Sequence, residues 1–170
     1  MRTSQISEHV IRPVQVQDEA AIARLWQALS DYHVRLDPRM PIPAQGAAGR
    51  YAARLVESRD DPKTCTLVAE VDGEAVGFAL GAIITLHPDL FVPVESGYIA
   101  DVYVDRRFRR RGLARDLVTA LTEWFHANGA AHIEWQVAAA NSAGIRFWEA
   151  MGGLATMVRM RMEPEDGDSR

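Results

Sequence analysis

Cysteine, long apolar runs and a leader segment are scarce or missing in this chain, and each shortage excludes a class of protein. Cys65 is the single cysteine, so no disulfide can form within the chain and a disulfide-stapled secreted fold is excluded. The longest nearly apolar run, Val76 to Leu86, is too short to span a bilayer, which takes about 20 residues. Residues Met1 to Val10 lack the apolar core of a signal peptide. We therefore expect a cytoplasmic protein that is not inserted in a membrane.

Basic charge is also in deficit. Lys and Arg number 19 against 23 Asp and Glu, which gives a net charge of -4 and a pI of about 5.7. A general nucleic-acid binder needs a basic face, so this class is disfavoured. The five histidines show no metal-ligand spacing, and we expect no metal site.

What the chain does have is the composition of an ordinary globular protein. It is 48% hydrophobic and 25% charged over 170 residues. That length predicts one domain, residues 1–170, with room for a substantial core. We expect its ends, residues 1–8 and 163–170, to be frayed.

Hydrophobic spacing alternates along the chain between a helical and a β period. Asp72-Gly73 is a strong hairpin dipeptide between two strand-like runs. The predicted order is β-α-α-β-β-β-α-β-α-β, an α+β domain with a mixed sheet. The predicted strands are His9–Val14, Thr64–Val71, Glu74–Leu86, Gly97–Asp105, His132–Ala138 and Leu154–Met162. The predicted helices are Glu19–Leu36, a weaker one at Arg50–Arg59, one from Leu113 to a stop at Asn128-Gly129, and Ser142–Met151.

The stretch Val102–Arg115, VYVDRRFRRRGLAR, carries the clearest chemical signal. A strand leads into an arginine-rich turn, and a helix begins at Gly112. The first N–H groups of a helix lack partners inside it and carry the positive end of its dipole, so they attract anions. Gly112 lets the backbone approach a bulky ligand, and arginine donates in pairs to phosphate. These residues predict a phosphate-bearing ligand at the start of the Gly112 helix, although an arginine run can also be solvated surface.

This stretch resembles a known family. Arg109-x-x-Gly112-x-Ala114 is similar to the (Q/R)-x-x-G-x-(G/A) signature of the GNAT superfamily of N-acetyltransferases. The strand YIADVYVD resembles the family's fourth strand. NSAGIRFWEAMG resembles its Asn-x-x-Ala-x-x-Phe-Tyr-x-x-x-Gly helix, with Gly144 at the alanine place. The opening IRPVQVQDEAAIARL and the hairpin VAEVDGEAVGF are also similar, so the resemblance covers nearly the whole domain.

The resemblance implies a mixed, mostly antiparallel central sheet flanked by helices. Its fourth and fifth strands splay apart, and the pantetheine arm of acetyl-CoA lies between them. Backbone groups of Val102 and Val104 would bind the acetyl and pantetheine parts, amides from Arg110 to Arg115 the pyrophosphate, and Asn141 would sit beside the arm. The implied cofactor-binding residues are Val102, Tyr103, Val104, Arg109, Arg110, Arg111, Gly112, Leu113, Ala114, Arg115 and Asn141.

The catalytic side chains depart from the family pattern. In several members the base or its water-holding partner stands four or two residues before the acetyl-binding position, where this chain has Tyr98 and Ala100. The usual acid is the tyrosine of the Phe-Tyr pair, and Trp148 takes its place. An alanine side chain cannot accept a proton, and an indole N–H is no proton source at neutral pH.

Three candidates remain for the general base. Tyr98 is the first choice, with a packing or substrate-stacking role as its alternative. Glu134 lies on the adjacent strand and could reach the cleft or be an exposed carboxylate on the sheet face. Asp101 follows Ala100, so strict alternation predicts that it faces the other side of the sheet. Without a strong base, positioning and the Val102 N–H would supply most of the rate enhancement.

The sequence thus predicts an acetyl-CoA-dependent N-acetyltransferase that acts on a primary amine of a small molecule or peptide by direct attack in a ternary complex. The alternative is a non-catalytic acyl-CoA-binding or regulatory module. No nucleic-acid or membrane partner is expected, and a homodimer is possible. A negative lining for an ammonium-bearing acceptor could come from Asp31, His33, Asp37, Asp89 and Glu95, with solvated surface as the alternative role of these residues.

Overall fold

The computed structural model describes residues 9–85, 90 and 92–162. The strands are β1 (His9–Pro13), β2 (Thr64–Val71), β3 (Glu74–Thr85), β4 (Glu95–Val104) and β5 (Ile133–Trp135). The helices are α1 (Glu19–Leu36), α2 (Ala47–Glu57), α3 (Leu113–Ala127) and α4 (Ser142–Ala150). Short 3-10 turns lie at Val16–Asp18 and Arg106–Phe108. The ends that we expected to be frayed, residues 1–8 and 163–170, lie outside the described residues.

The strands form one sheet in the order β1-β2-β3-β4-β5. Neighbours from β1 to β4 are antiparallel, whereas β5 joins β4 in parallel after the crossover through α3. Helix α3 covers one face of the sheet, where Leu121 and Phe125 are fully buried. Helices α1 and α2 cover the other face, where Ile22 packs in one cluster with Phe78. This arrangement confirms the predicted α+β fold with a mixed, mostly antiparallel sheet.

The hairpin predicted at Asp72-Gly73 forms there. Both residues have positive φ, 50° and 80° respectively, and Val71 pairs with Glu74 on either side of them. Two left-handed residues match the twist of a two-residue hairpin, which is why Asp-Gly is favoured. The dipeptide therefore sets the register of β2 against β3.

The predicted final strand, Leu154–Met162, is wrong. Residues 153–162 form no strand, and five apolar side chains there are between 80% and 93% exposed. These side chains are Leu154, Met157, Val158, Met160 and Met162. Alternating apolar residues suit a strand only when a neighbouring backbone accepts their hydrogen bonds, and β5 does not pair with this segment. For the same reason β5 is shorter than predicted. It pairs only with β4 and comprises three residues, Ile133–Trp135, rather than the predicted His132–Ala138.

Strand β4 contains one extra residue. Leu80 of β3 pairs with Asp101 and Gly81 pairs with Ile99, so Ala100 is a bulge between them. Because side chains alternate along a strand, the bulge changes their phase. Ile99 therefore packs on the α3 face, whereas Asp101 lies with Tyr98 on the face that α1 and α2 cover. The expectation that Asp101 faces away from Tyr98 is wrong for this reason.

A buried ion pair fixes the start of α1 to the sheet edge. Arg12 of β1 donates to both carboxylate oxygens of Asp18, at 2.7 and 2.9 Å, and also to Glu70 at 2.8 Å. Asp18 is only 3% exposed. Burial by itself raises the pKa of this carboxyl, but the hydrogen bonds from Arg12 and from the Gln15 N–H outweigh that effect and leave its pKa below the usual value.

Within the described ranges, no helix is both long and apolar enough to cross a membrane.

Candidate active site

One edge of β4 is open. Strand β5 pairs with β4 only from Gly97 to Ile99, so no strand among the described residues pairs with the stretch from Ala100 to Val104 on that side. Backbone N–H and C=O groups along such an edge can pair with an extended ligand. The predicted splay between the fourth and fifth strands is therefore present, and the predicted binding residues Val102, Tyr103 and Val104 lie along it.

The open edge leads directly into the glycine-containing loop. Arg110 and Gly112 both have left-handed backbones, with φ of 64° and 88°. A left-handed conformation in a non-glycine residue costs about 1–3 kcal/mol and is concentrated at ligand-binding loops. When left-handed and right-handed residues follow one another, their successive N–H groups turn toward one side and form an anion-binding concavity. Sequence reasoning identified Gly112 but gave no sign that Arg110 shares its conformation.

The first turn of α3 supplies further donors. Its first backbone hydrogen bond runs from Asp116 N to Gly112 O, at 3.0 Å, so the N–H groups of residues 113–115 have no partner within the helix. A Cβ added to Gly112 would meet nothing closer than Asp116 Oδ2 at 3.6 Å. The glycine is thus needed for its φ and for access to these donors, not for packing against the protein.

The arginines of the loop have different roles. Arg107 donates to Asp105 at 2.9 Å and to Glu74 at 3.0 Å, so it joins the loop to the β2–β3 hairpin. Arg109 donates its Nε to the carbonyl of Val104 at 3.0 Å, and its guanidinium lies 5.3 Å from the Tyr103 ring. The other arginines of the predicted set, Arg110, Arg111 and Arg115, are exposed.

A hollow of about 320 Å³ lies between this loop and the end of α1. Its lining includes three guanidinium groups, from Arg35, Arg106 and Arg109, together with the ring of Tyr32. No carboxylate lines it among the described residues. This space, which we call the arginine hollow, is therefore suited to an anionic group beside the loop.

Asn141 caps α4 and joins it to α1. Its Oδ1 accepts from the backbone N–H of Gly144 at 2.9 Å and from the Tyr32 hydroxyl at 3.1 Å. A Cβ at position 144 would lie 2.5 Å from Asn141 Nδ2, which explains glycine at the family's alanine place. The structure thus gives Asn141 two structural partners, and sequence reasoning missed Tyr32 because it is 109 residues away.

A larger cavity, of about 500 Å³, opens on the α2 face of the sheet and reaches the bulge. Its apolar floor comprises Leu55, Leu80, Ala82 and Ala100. Arg54 and Glu57, both exposed on α2, add one charge of each sign. We call this space the bulge cavity. Its volume is within the usual range for small-molecule sites, about 300–1,000 Å³.

The two predicted catalytic side chains lie beside each other near this cavity. Tyr98 pairs in register with Ala82, which lines the cavity, and with Glu134 on β5. Glu134 is exposed, with 46% of its side chain accessible, and its carboxylate is 3.4 Å from His132. Tyr98 is half-buried. Their placement next to the cavity is compatible with the predicted role.

The structure reveals a carboxylate that sequence reasoning set aside. Asp101 accepts a hydrogen bond from the Tyr51 hydroxyl at 2.7 Å, and Tyr51 stacks on Trp26 with ring centroids 5.0 Å apart. Burial raises the pKa of Asp101, and the hydrogen bond from Tyr51 only partly offsets it. The sequence does contain one sign of the bulge. Ile99 and Val102 are both apolar but three positions apart, which strict alternation along a strand does not place on one face. This sign was hidden because Tyr103, the residue after Val102, is also buried.

The predicted acceptor lining is not assembled at either space. Asp37 binds Arg39 at 2.9 Å, and Glu95 binds Lys63 on the exposed surface. Asp89 lies outside the described residues. None of the four described residues, Asp31, His33, Asp37 and Glu95, lines the bulge cavity or the arginine hollow.

Trp148, at the usual acid position, packs rather than points at a reactive group. Its ring centroid is 4.5 Å from that of Trp135 on β5 and 5.1 Å from that of Phe147. The indole therefore holds α4 against β5 near the point where the strands separate.

Comparison with known proteins gives a consistent result. The model of the acetyltransferase (GNAT) family matches residues 22–153. The L-2,4-diaminobutyric acid acetyltransferase of Nocardia farcinica is 33% identical over 99 residues, which are 58% of this chain and 48% of that protein. The match therefore spans about half the length of this curated relative.

Solved structures share the fold at low identity. A tetramutant protein from Bacillus halodurans superposes with a TM-score of 0.79 at 22% identity, over 91% of this chain and 99% of its own. An aminoglycoside N-acetyltransferase in complex with CoA gives 0.68 at 20% identity, over 96% and 99%. The glucosamine-6-phosphate N-acetyltransferase of Arabidopsis thaliana gives 0.67 at 20% identity, over 93% and 99%.

Proposed function

Since this chain belongs to the acetyltransferase (GNAT) family, we propose that it transfers the acetyl group of acetyl-CoA to a primary amine of a small molecule or peptide. The observation that carries the proposal is the open edge of β4, which runs without interruption into the loop at Gly112. Acetyl-CoA combines an extended pantetheine arm with a charged pyrophosphate group. The open edge would take the arm and the loop would take the pyrophosphate, and these two sites adjoin in that order along the chain.

The described residues fit this ligand. Backbone groups of Val102 and Val104 would pair with the pantetheine arm, and the N–H groups from Arg110 to Arg115 would hold the pyrophosphate. The left-handed φ of Gly112 and the lack of a side chain there leave those N–H groups accessible. The arginine hollow adds positive charge beside them.

When bound, acetyl-CoA would supply an activated thioester: the amine nitrogen would bond to the acetyl carbon, the C–S bond would break, and CoA would leave as a thiolate that takes a proton from solvent. The Val102 N–H would stabilise the negative charge that develops on the acetyl oxygen. The amine must lose a proton, and solvent or a nearby carboxylate can take it. Most of the rate enhancement would then come from orientation of the two reactants.

We place the acceptor in the bulge cavity, because this cavity ends at Ala100, two residues before Val102. The curated relative is named for acetylation of diaminobutyric acid, and structural neighbours are named for acetylation of an aminoglycoside and of glucosamine 6-phosphate. Amines of this size are compatible with a cavity of about 500 Å³. They form the first panel of acceptors for this chain.

Ala100 and Trp148 favour a second candidate, a non-catalytic acyl-CoA-binding or regulatory module. Neither side chain can replace the acid or base that several family members carry at these places. The two candidates make the same prediction for cofactor binding and opposite predictions for turnover.

Two measurements test the proposal. Calorimetric titration with acetyl-CoA and with CoA should give saturable heat, and both ligands should raise the melting temperature by mass action. Release of free thiol should then depend on an added amine. The absence of heat and of a thermal shift at millimolar ligand would remove both candidates. Clear binding without turnover across the panel would leave the regulatory module.

A further inference from the structure

The bulge cavity carries charges of opposite sign on a single helix. Arg54 and Glu57 are three residues apart on α2, which places them on the same side of the helix, with Cβ atoms about 5–6 Å apart. Neither side chain forms an ion pair or hydrogen bond within the described part of the chain, in contrast to Arg12, Lys63 and Arg107, which each bind a carboxylate. Both remain available to a ligand.

The rest of the lining between these charges and the bulge is largely apolar. Leu80 and Ala82 of β3 separate α2 from Ala100. A ligand that reaches the bulge from the charged side must therefore present a short apolar stretch to these two residues. Its reacting amine would be at one end and its charged groups at the other.

These features together select the chemistry of the acceptor. A polyamine would place positive charge against Arg54, and a simple anion would place negative charge against Glu57. A zwitterion satisfies both, because its carboxylate can pair with the guanidinium while its ammonium pairs with the Glu57 carboxylate. The two groups of an α-amino acid are adjacent, as are the two side chains.

On the basis of the proposed function, we infer that the acceptor is an amino acid with a terminal amine on its side chain. Arg54 binds the α-carboxylate, Glu57 binds the α-ammonium, and the methylene chain lies over Leu80 and Ala82. The side-chain amine is thereby directed at Ala100 and the open edge of β4. Arg54 and Glu57 act as specificity-determining residues.

The direct test compares acceptors that differ only in the carboxylate. We expect kcat/KM for ornithine and lysine to exceed that for putrescine and cadaverine by about 10- to 100-fold, the range of one charge-assisted hydrogen-bonded pair. Arg54→Gln should remove this advantage, by raising KM for ornithine and lysine and by lowering KM for the two diamines, whose second ammonium Arg54 repels. Glu57→Gln should lower kcat/KM for the amino acids and for the diamines alike, because both classes of acceptor carry a second ammonium.

Arg50→Gln is the matched control. Arg50 is on the same helix, donates to the carbonyl of Gln45 at 2.9 Å and does not line the cavity. It should leave all four acceptors unaffected. Equal or faster turnover of the diamines by the native protein would overturn the inference, as would an equal effect of Arg54→Gln on both classes of acceptor.

A binding measurement keeps the inference testable if no amine is acetylated. In that case the proposed enzyme activity fails, and ornithine is titrated calorimetrically into the CoA-loaded native protein and the Arg54→Gln variant. Binding that the variant loses at least tenfold would support the zwitterion site. No binding to the native protein at millimolar ornithine, or equal binding to both proteins, would reject it.

Discussion

At the scale of single residues, Gly112 tests the cofactor loop. Any other residue there must adopt φ near 88°, which is strained, and its side chain would stand in front of the N–H groups of α3. We expect Gly112→Val to weaken CoA binding at least tenfold, measured by calorimetry. Gly129→Val is the matched control, because Gly129 has φ of 80° at the other end of α3 and nothing within 4 Å of its Cβ position. If the two variants keep the same CoA affinity, the loop is only surface.

The proton acceptor is also decided by single residues. Tyr98→Phe keeps the ring and removes the hydroxyl, and we expect a loss of about tenfold or less, below the usual 10²–10⁴-fold effect of a general base. With solvent as the base, the rate should keep rising with pH toward the pKa of the amine. A step in the pH–rate profile that does not shift with the pKa of the acceptor amine, and that Asp101→Asn abolishes, would show that Asp101 accepts the proton. A larger loss in Tyr98→Phe would restore Tyr98 to that role.

At the scale of elements, the start of α4 is held by one side chain with two partners. Gly144→Ala places a Cβ 2.5 Å from Asn141 Nδ2, so Asn141 must turn and release both the cap and the Tyr32 hydroxyl. We expect a loss of about 1 kcal/mol of unfolding free energy, the usual effect of losing an N-cap, measured in urea. Ala143→Ser, at an exposed neighbouring position, should have almost no effect. Equal stability of the two variants would contradict the cap.

Element by element, the sequence predicted what local spacing and turn chemistry determine. The order of the helices and strands through α4, the hairpin at Asp72-Gly73 and the loop at Gly112 all follow from neighbouring residues. The bulge at Ala100 did not, because Ala100 fits either phase of the strand. The segment after Gly153 was misread because its alternation says nothing about whether a partner strand is present. Contacts such as Tyr51 to Asp101 join residues 50 positions apart, and local patterns contain no information about them.

At the scale of the whole molecule, stability should depend on pH through the pair of Arg12 and Asp18. The folded pKa of Asp18 is lowered, so its contribution is present above its unfolded pKa of about 4 and is lost as the pH falls through the folded value. We expect Asp18→Asn to cost about 3 kcal/mol at pH 7 and much less near pH 2. Urea unfolding at both pH values measures this difference.

Asp60→Asn is the control, since Asp60 forms an exposed pair with Arg59 and should change stability by less than about 1 kcal/mol. An unfolding free energy of Asp18→Asn that follows the native protein at every pH would contradict the role of the pair.

Asp101 should change the pH dependence of stability in the opposite direction. Its pKa is raised, so the native protein should lose stability relative to Asp101→Asn as the pH rises through that pKa.

We also propose that the protein is a homodimer. Five apolar side chains between Leu154 and Met162 are at least 80% exposed, and apolar surface of this kind is usually covered on association. Light scattering at tens of micromolar should give twice the monomer mass of 18.9 kDa. Replacement of Met160 and Met162 by Ser should shift the mass toward the monomer, whereas a monomeric native protein would refute the proposal.

The extra residue in β4 shapes the candidate site without being needed for the packing of the strand. If Ala100 were deleted, Ile99 and Asp101 would become neighbours and would still face opposite sides of the sheet, because Ala100 is the residue without a partner in β3. The packing of Ile99 against α3 would therefore be kept. The local bend that a bulge gives to a strand would be lost, together with the Ala100 wall of the bulge cavity. Deletion of this one residue should therefore alter the acceptor site far more than the core.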